Sequence, residues 1–392
     1  MTPDRPLRII QVFNRYLLPG GEETSVGRIA EDLRAGGHEV VRFWRASEEW
    51  KQPGAPSRWK QAMLLWNNRA VLDELQTLHE QTHADLWLLH NVVPVVSLGV
   101  FRRATQLRVP IIQWLHNYRP LSPSGALFAG TTQLSPDDRW ILLKESLAGS
   151  WKGRAMTTWL SLGYVLTRRR GDYESVKAWV AVSDEMRDLF KKGGWFPNRM
   201  HSVRHSWQLG KEGSLEEIDD GHFLFLGRMV EPKGVRFIVD LWRDPRLSDK
   251  TLIMAGQGPL ADELRASSPS NVKWVGQIGG AEKERYIARC RAIVFPCLWP
   301  EPLSTVAYEA YERGRPLIAS SMGGMKEIVF DGVTGLLLPP GDRESWVKAI
   351  LTMNTDEAAR LGRQGREWMR NHVSPQAWNQ QFSAIAQQVL SR

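Results

Sequence analysis

The feature that most constrains the fold of this 392-residue chain is a regular alternation of short apolar runs with longer helical patterns. Five strand-like runs occupy the first half: LRIIQVF, EVVRFW, DLWLLH, VPIIQWLH and AWVAVS. Helical segments separate most of them, as in β-α-β units on a parallel sheet, whose buried strands are almost continuously apolar. The pattern predicts a doubly wound α/β domain.

The alternation stops once and then starts again. Residues 206–221, SWQLGKEGSLEEIDDG, are rich in Gly, Ser and acidic side chains and indicate a linker. Six further strand-like runs follow: HFLFLG, TLIMAG, NVKWVG, AIVFPC, PLIASS and GLLLPP. We therefore predict two successive domains, 1–205 and 222–372, with a ligand cleft between the carboxyl ends of their sheets. A last helix at 373–392 follows, and periodicity leaves open whether it packs back on the first domain.

Charge and composition limit the classes of protein that the chain can belong to. Residues 1–205 hold 28 Lys and Arg against 20 Asp and Glu, whereas residues 206–392 hold 23 of each, so the net charge of +8 lies in the first half. This fits either an acidic partner or a generally basic surface. Two cysteines exclude a disulfide framework, and no apolar run approaches the ~20 residues of a membrane span. Composition predicts a globular, cytoplasmic protein.

Three turns in the second half, each after a predicted strand, suit a phosphate group. FLGRMVEPKG places Arg228 just beyond a strand and Lys233 at the start of the next helix, where a guanidinium and an ammonium can both bind phosphate. MAGQGPL contains Gly256 and Gly258, and ASSMGGMKEIV contains a Gly-Gly pair, where backbone amides can approach a ligand closely. Each turn alone is more typical of an ordinary surface loop, but their position at strand ends of one sheet favours a phosphate site.

Two glutamates in PCLWPEPLSTVAYEA are separated by seven residues. Glu301 lies between two prolines, which restrict the loop and let its side chain be aimed. Ser304 and Thr305 begin a predicted helix, whose first amides and dipole suit a diphosphate. Glu309, a little over one turn into this helix, can accept hydrogen bonds from hydroxyl groups. Two solvated glutamates are the usual explanation of such a pair, and the neighbouring turns favour a site.

On these segments the chain resembles the retaining glycosyltransferases of the GT-B fold, in family 4 of the nucleotide-sugar transferases. The segments that carry the resemblance are PGGEE, LHNYRPLSPSG, FLGRMVEPKG, AGQGP, PEPLSTVAYEA and GGMKEIVFDGVTGLL. The resemblance covers nearly the whole chain. It implies two Rossmann-like domains that face each other across a cleft, the first binding the acceptor and the second a nucleotide sugar.

The resemblance also implies roles for individual residues. The implied catalytic set is His116, Glu301, Arg228 and Lys233. The implied nucleotide-sugar-binding set is Gly20, Gly21, Gly227, Arg228, Lys233, Gly256, Gly258, Val275, Glu301, Pro302, Leu303, Ser304, Thr305 and Glu309. Glu301 then lies beside the donor sugar, Glu309 binds the ribose, and His116 contacts the sugar. Asn117 and Arg119 are assigned to the acceptor.

The chain departs from the family pattern at two places. Leu303 and Ser304 follow Glu-Pro, where the family commonly has an aromatic residue and a glycine, so the side chain at 304 either crowds the diphosphate or offers it a hydroxyl. The segment SVRHSW, 202–207, stands where many relatives carry a Pro-Asn-Gly-Val-Asp turn. The departures concern backbone detail and the hinge.

The sequence predicts catalysis without a metal ion or another cofactor. No Asp-x-Asp pair and no His/Cys cluster of ligand spacing occurs in it. Arg228, Lys233 and helix N-termini would instead stabilise the departing diphosphate. Two alternatives remain open: a catalytically silent scaffold that binds nucleotide sugars, and a dinucleotide-dependent oxidoreductase suggested by GQGPLA.

The acceptor is a glycan, a lipid-linked glycan or a small molecule. Residues 139–172 carry seven Lys and Arg against two acidic residues, with Trp140, Trp151, Trp159 and Tyr164 among aliphatic side chains. Such a segment either binds an anionic membrane surface or buries its apolar side chains in the core with RRR at a solvated helix end. The first case predicts a peripheral membrane protein of envelope or extracellular polysaccharide synthesis. Nucleic acid is not expected as a partner, because no binding motif accompanies the charge.

Overall fold

A computed structural model of the chain describes residues 5–17, 20–130, 132–210 and 219–391. The chain divides into two compact units, one of Met1–Ser206 with Pro375–Arg392 and one of Trp207–Ser374. Each unit has one six-stranded parallel sheet between helices, which confirms the predicted α/β class. Part of the predicted linker, 211–218, lies outside the described residues.

The strands of the first unit are β1 (Arg8–Arg15), β2 (Glu39–Ala46), β3 (Leu86–Leu89), β4 (Ile111–Leu115), β5 (Phe128–Ala129), β6 (Thr132–Gln133), β7 (Val176–Ala181) and β8 (Met200–Ser202). Its helices are α1 (Gly21–Ala35), α2 (Arg58–Trp66), α3 (Arg69–Thr82), α4 (Gly99–Leu107), α5 (Ile141–Ala148), α6 (Arg154–Arg169) and α7 (Asp184–Lys192). The sheet order is β2-β1-β3-β4-β7-β8, and β5 and β6 form a separate antiparallel pair. The order reverses between β1 and β3, which is where this architecture binds ligands.

The strands of the second unit are β9 (Phe223–Leu226), β10 (Leu252–Ala255), β11 (Val272–Gly276), β12 (Ala292–Phe295), β13 (Leu317–Ser320) and β14 (Gly335–Leu338). Its helices are α8 (Val235–Leu241), α9 (Ala261–Ser267), α10 (Gly280–Arg289), α11 (Thr305–Glu312), α12 (Arg343–Thr352) and α13 (Thr355–His372). The order is β11-β10-β9-β12-β13-β14, so β9 and β12 are neighbours at the reversal. Their carboxyl ends are the expected ligand position in this sheet.

A last helix, α14 (Pro375–Leu390), belongs to the first unit, although it follows the second in sequence. Its Trp378 ring lies 5.3 Å from the Trp114 ring of β4, and Asn379 donates to the Asp32 carbonyl oxygen of α1. The buried faces of α14 and of the central strands therefore share one core, in which β3 and β4 are buried at every residue.

All eleven strand-like runs form strands, because each puts consecutive apolar residues into a sheet covered on both faces. No sequence pattern predicted β8 or the β5–β6 pair, which are short and partly polar. Residues Gly323–Glu327, which contain the glycine pair, form a 3-10 helix. Within the described ranges, no helix is long and apolar enough to cross a membrane.

Candidate active site

The loops after β9 and β12 bring together the residues of the second unit that the sequence singled out. The Leu298 amide donates to the Pro232 carbonyl oxygen at 2.9 Å and ties the two loops together. Lys233 ends a 3-10 turn, Glu231–Lys233, rather than starting a helix as predicted. This places Lys233 beside Glu301, at the reversal of the strand order.

Lys233 and Glu301 form a largely buried ion pair. The Lys233 Nζ atom donates to Glu301 Oε2 at 2.6 Å, and only 14% and 10% of the two side chains are exposed. The same ammonium lies 5.1 Å from the ring centre of Phe295 and 5.6 Å from that of Trp299. Burial raises the pKa of the neighbouring Cys297 thiol, which keeps that group neutral. A cation held by a carboxylate and two aromatic rings is preorganised for a second anion.

Glu301 is held through its backbone as well as its side chain. Its carbonyl oxygen accepts from the Gly324 amide at 2.8 Å, and its amide donates to the Trp299 carbonyl oxygen at 2.7 Å. Gly323 has φ +56°, and a Cβ atom there would overlap the backbone of Glu301. The glycine pair after β13 therefore packs against the Glu301 backbone and fixes the position of this residue.

Helix α11 begins at Thr305, as the sequence predicts, with Ser304 as its N-cap. Ser304 is buried, but its hydroxyl does not cap the helix. Within the described residues, the amides of Thr305 and Val306 have no hydrogen-bond acceptor. The helix thus presents two unsatisfied donors beside the loop that carries Glu301, which is the arrangement that binds phosphate groups.

Glu309 lies in α11 and has one occupied and one unoccupied oxygen. Its Oε1 accepts from Lys283 Nζ in α10 at 2.9 Å. Its Oε2 is buried and has no hydrogen-bond partner in the described part of the chain. An acceptor that is buried without a donor costs about 1–3 kcal/mol, so the oxygen is suited to a hydroxyl group of a ligand.

The remaining predicted residues of the second unit surround the same strand ends. Arg228 follows β9, is exposed, and its side chain forms no hydrogen bond or ion pair with any described residue. Gly256 has φ +135°, and a Cβ atom there would overlap the Gly227 carbonyl oxygen, so this turn requires glycine. Gly258 packs as closely on the Met229 backbone. Val275, half-buried in β11, is one strand further along the sheet.

In the first unit, the predicted residues lie at the ends of β1 and β4. Gly20 is the N-cap of α1 and Gly21 its first residue; Gly20 is extended, and nothing lies within 4 Å of its missing Cβ. Asn117 donates to Glu22 Oε2 at 3.1 Å and to the hydroxyl of Tyr16 at 3.2 Å. Glu22 and Tyr16 are thus contacts of the predicted acceptor residues that the sequence left unassigned.

Arg119 is half-buried, and all its side-chain hydrogen bonds go to neutral oxygens. The acceptors are the Pro123 carbonyl at 2.9 Å, the Asn91 amide at 3.3 Å and the Tyr16 hydroxyl at 3.4 Å. Its guanidinium carbon lies 5.9 Å from the ring centre of Trp151. No carboxylate among the described residues lies within ion-pair distance of it.

His116 and Arg119 line a cavity in the first unit. The cavity wall is polar at Glu22, Asn91 and Asn117 and apolar beyond them. His116 contacts two further histidines: His90, whose Nδ1 lies 2.9 Å from His116 Nε2, and His205, whose ring lies 6.1 Å away. Burial, then the neighbouring His90 and His205, lowers the pKa of His116 well below its usual value.

Several contacts of the site had no signal in the sequence. Lys283 belongs to no motif, and it reaches Glu309 only because α10 packs beside α11. His90 and Gln11 are polar residues in otherwise mostly apolar strand-like runs, a pattern that does not connect them with His116. Within the described ranges, no three His, Cys, Asp or Glu residues lie close enough to hold a metal ion.

Comparison with known proteins identifies the family. Residues 220–356 match the family described as "Glycosyl transferases group 1". The uncharacterized glycosyltransferase MJ1178 of Methanocaldococcus jannaschii is 29% identical over 168 residues, which are 41% of this chain and 47% of that protein, so the match spans about half its length. Glycogen synthase of Mycobacterium tuberculosis is 30% identical over 322 residues, 79% of this chain and 68% of that protein. Phosphatidyl-myo-inositol mannosyltransferase of Mycolicibacterium smegmatis is 24% identical over 366 residues, 91% and 86% of the two chains.

Solved structures with the same architecture include Anabaena HepE in complex with UDP and glucose. It has a TM-score of 0.65 at 18% identity and covers 96% of this chain and 98% of HepE. Sucrose-phosphate synthase from Thermosynechococcus elongatus has a TM-score of 0.67 at 18% identity, covering 98% and 99%. These likenesses show the GT-B fold. Since the match to glycogen synthase reaches 30% identity over more than two thirds of that enzyme, the chain belongs to the group 1 glycosyltransferases.

Proposed function

We propose that the protein is a retaining, metal-independent glycosyltransferase of family 4 that transfers a sugar from a nucleoside diphosphate. The acceptor is a glycan, a lipid-linked glycan or a small molecule of cell-envelope or extracellular polysaccharide synthesis. The observation that carries the proposal is the buried Lys233–Glu301 pair beside the two unsatisfied amides of α11. HepE, solved with UDP and with UDP-glucose, supports a nucleotide-sugar donor.

The cations at the ends of β9 and β12 account for departure of the diphosphate. When the bond between the anomeric carbon and the phosphate oxygen breaks, negative charge develops on that oxygen. Lys233 and Arg228 supply two positive charges, and the amides of Thr305 and Val306 supply hydrogen bonds. Preorganised donors of this kind stabilise developing charge without reorganisation, the role that a metal ion has in other transferases.

Retention requires that the acceptor hydroxyl attack the face from which the diphosphate leaves. The new bond joins the acceptor oxygen to the anomeric carbon, the bond to the phosphate oxygen breaks, and the hydroxyl proton passes to the departing diphosphate. We assign Glu301, which accepts a hydrogen bond from Lys233, to binding the donor sugar. Its carboxylate also stabilises positive charge that develops on the sugar ring.

The buried Oε2 of Glu309, which has no partner among the described residues, supports a contact between this residue and the hydroxyl groups of the donor ribose. We expect nucleoside diphosphates to raise the melting temperature, by about 2.7 kcal/mol of stabilisation at a hundredfold excess over Kd. A panel of UDP, GDP, ADP, TDP and CDP, with NAD beside them, identifies the base. The best ligand should lose about tenfold or more in affinity when its ribose hydroxyls are removed, since a hydrogen bond to a charged group contributes about 1.5–3 kcal/mol.

In Glu309→Gln this difference between the ribose and dideoxyribose forms should shrink. Glu284→Gln is the matched control, because Glu284 lies in the neighbouring α10 and its ion-pair partner among the described residues is the half-buried Arg313. Stabilisation by NAD alone, or by no nucleotide, would contradict the proposed donor. An equal preference for the ribose form in wild type and Glu309→Gln would contradict the role of Glu309.

For the acceptor we propose Asn117 and Arg119 as binding residues. Arg119 offers a guanidinium whose hydrogen-bond partners among the described residues are neutral, and it lines the cavity of the first unit. We expect Arg119→Met to raise the acceptor KM about tenfold or more, because a charged hydrogen-bond donor is lost. Slow hydrolysis of the donor without acceptor should change little. Both rates are measured with whichever member of a panel of glycans, polyprenyl-linked sugars and polyols supports transfer.

Arg168→Met is the control for loss of packing. Arg168 also stacks on an aromatic ring, that of Trp195 at 4.9 Å, and donates to a carbonyl oxygen, that of Gly194. The Arg168→Met variant should have a lower melting temperature than wild type and an unchanged acceptor KM. An acceptor KM that stays at the wild-type value in Arg119→Met would exclude Arg119 from the acceptor site.

We also propose that helices α2, α5 and α6 bind an anionic membrane surface. Trp140, Leu143, Leu147 and Leu162 are 46–62% exposed, and Trp59 of α2 is 78% exposed. Other apolar residues of 139–172 do belong to the core: Ile141, Leu160 and Tyr164 are buried, and Trp159 stacks on Trp66. Basic side chains accompany the exposed apolar ones, as an anionic bilayer requires.

This proposal predicts flotation with vesicles that contain anionic phospholipid, and much less with vesicles of neutral phospholipid. Replacing Leu143 and Leu147 together by Asp should abolish flotation, because the apolar contacts are lost and two negative charges are added. Leu351→Asp is the control, since Leu351 is a 43% exposed leucine of the second unit. Equal flotation of the double variant and wild type would contradict the assigned surface.

A further inference from the structure

A row of four side chains crosses the first sheet and ends at His116. Trp44 lies in β2, Gln11 in β1, His90 directly after β3, and His116 directly after β4. These strands are neighbours in the order β2-β1-β3-β4, so each side chain contacts the next. The contacts are Trp44 Nε1 to Gln11 Oε1 at 3.3 Å, Gln11 Nε2 to His90 Nε2 at 3.1 Å, and His90 Nδ1 to His116 Nε2 at 2.9 Å.

The orientation of the Gln11 amide follows from two neighbours whose roles cannot change. The Trp44 indole can only donate, so the Gln11 atom that it meets is the oxygen. The Val26 carbonyl can only accept, at 2.9 Å, so the atom that it meets is the amide nitrogen. A reversed amide would put two donors against each other and two acceptors against each other. Gln11 therefore presents an N–H group to His90.

This orientation decides the position of the proton on both histidines. His90 Nε2 must accept from Gln11, so a neutral His90 carries its proton on Nδ1 and donates it to His116 Nε2. His116 Nε2 then accepts, and a neutral His116 carries its proton on Nδ1. The Nδ1 atom of His116 has no hydrogen-bond partner among the described residues and is not fully buried.

We propose that Gln11 and His90 are positioning residues that hold His116 as a neutral Nδ1–H donor to an oxygen atom of the bound sugar nucleotide. This rests on the proposed glycosyl transfer. In this tautomer neither ring nitrogen can take the proton of the acceptor hydroxyl: Nδ1 is already protonated, and Nε2 is occupied by His90. The proton then leaves with the diphosphate, and His116 contributes a hydrogen bond to a hydroxyl or phosphate oxygen of the donor.

The surroundings of His116 keep it neutral. Burial lowers the pKa of His90 and of His205 to about 3, and the positive charge of Arg28 further disfavours a charged His205. Glu22 lines the same cavity, but His116 does not pair with it among the described contacts. If His116 were an imidazolium, its Nε2–H group would find no acceptor in His90, because His90 Nδ1 is itself a donor.

The tautomer is measured directly by two-bond ¹H–¹⁵N correlation spectra of protein labelled with ¹⁵N-histidine. Among the nine histidine signals, those of His116 and His90 are identified by their loss in His116→Gln and His90→Gln. We expect both residues to carry the proton on Nδ1 in the wild type. Gln11→Glu reverses the row, because a carboxylate only accepts: His90 must then donate from Nε2, and His116 must donate from Nε2 to His90.

In Gln11→Glu we expect kcat/KM for the donor to fall about tenfold, the loss of one hydrogen bond to substrate. Gln76→Glu, the same exchange in α3, where Gln76 contacts Glu80 and Arg103, should change neither the tautomers nor the rate. Wild-type His116 with its proton on Nε2 would overturn the proposal. So would an unchanged rate in Gln11→Glu after the tautomers have switched.

If Gln11→Glu does not fold, the wild-type spectrum decides the tautomer, and addition of the sugar nucleotide decides the contact. We expect a shift of the His116 Nδ1 signal on binding, whereas no shift in the bound state would exclude the hydrogen bond. The tautomer does not depend on catalysis. If the protein shows the predicted tautomer but binds no sugar nucleotide, the proposed function and the contact with the donor are disproved, whereas the hydrogen-bond order from Gln11 through His90 to His116 is still supported.

Discussion

Lys233→Met is expected to lower the rate of sugar transfer by about a thousandfold, the effect of losing a preorganised charge in a water-poor site. The Lys233 ammonium is the buried cation closest to Glu301, held at 2.6 Å from the carboxylate and above two aromatic rings. Methionine preserves most of the side-chain volume. The loss would therefore come from the charge, which no longer opposes the negative charge that develops on the diphosphate.

The same exchange leaves the carboxylate of Glu301 buried without its partner, which costs about 3 kcal/mol or more. The double variant Lys233→Met with Glu301→Gln should regain most of that stability, because the carboxylate charge is gone. It should regain no activity. Lys250→Met, on a half-buried lysine that pairs with the exposed Asp249, is the control for both measurements. Activity of Lys233→Met within tenfold of wild type would remove Lys233 from the transfer step.

Much of the second-unit site could be predicted because its residues lie close together in the sequence. Glu301 and Glu309 stand in one strand-loop-helix segment, and the prolines around Glu301 and the start of α11 at Thr305 are local features. The rules for parallel sheets then place the ends of β9 and β12 side by side, so Lys233 could be expected near Glu301.

Contacts between distant segments could not be predicted in this way. Lys283 pairs with Glu309 through the packing of two helices, which depends on all the side chains between them. His90 follows an apolar strand, and its significance comes from Gln11, 79 residues away. A polar residue in an apolar run signals a partner, but neither its spacing nor its type says which residue that partner is.

The segment 139–172 shows where composition fails to decide. Its sequence fits both a membrane surface and a core, and the structure shows buried and exposed apolar side chains in it, with Leu160 buried and Leu147 62% exposed. All three arginines of the basic run at its end are exposed, and Arg168 also stacks on Trp195. Helical periodicity predicts that α6 has an apolar and a polar face, but the positions of α2 and α5 determine which of its residues are buried.

Gly323→Ala is expected to destabilise the second unit by about 3 kcal/mol or more. The φ of +56° alone costs an alanine about 1–2 kcal/mol, and the added Cβ would overlap backbone atoms of Pro300 and Glu301, which cannot rotate away as a side chain can. For a unit of this size, this amounts to a fall in melting temperature of about 6–12 °C. Calorimetry of the purified variant measures it.

Activity should be lost with stability in Gly323→Ala, because the clash falls on the backbone that aims the Glu301 carboxylate. The Gly324 amide, which donates to the Glu301 carbonyl oxygen, would be displaced with it. Gly279→Ala is the matched control: its φ is −156°, and nothing lies within 4 Å of the added Cβ. We expect that control to melt within about 0.5 kcal/mol of wild type and to keep its activity. Equal melting temperatures of the two variants would mean that the Glu301 loop can move to accommodate the added Cβ without loss of stability. The glycine pair would then not hold the carboxylate in place.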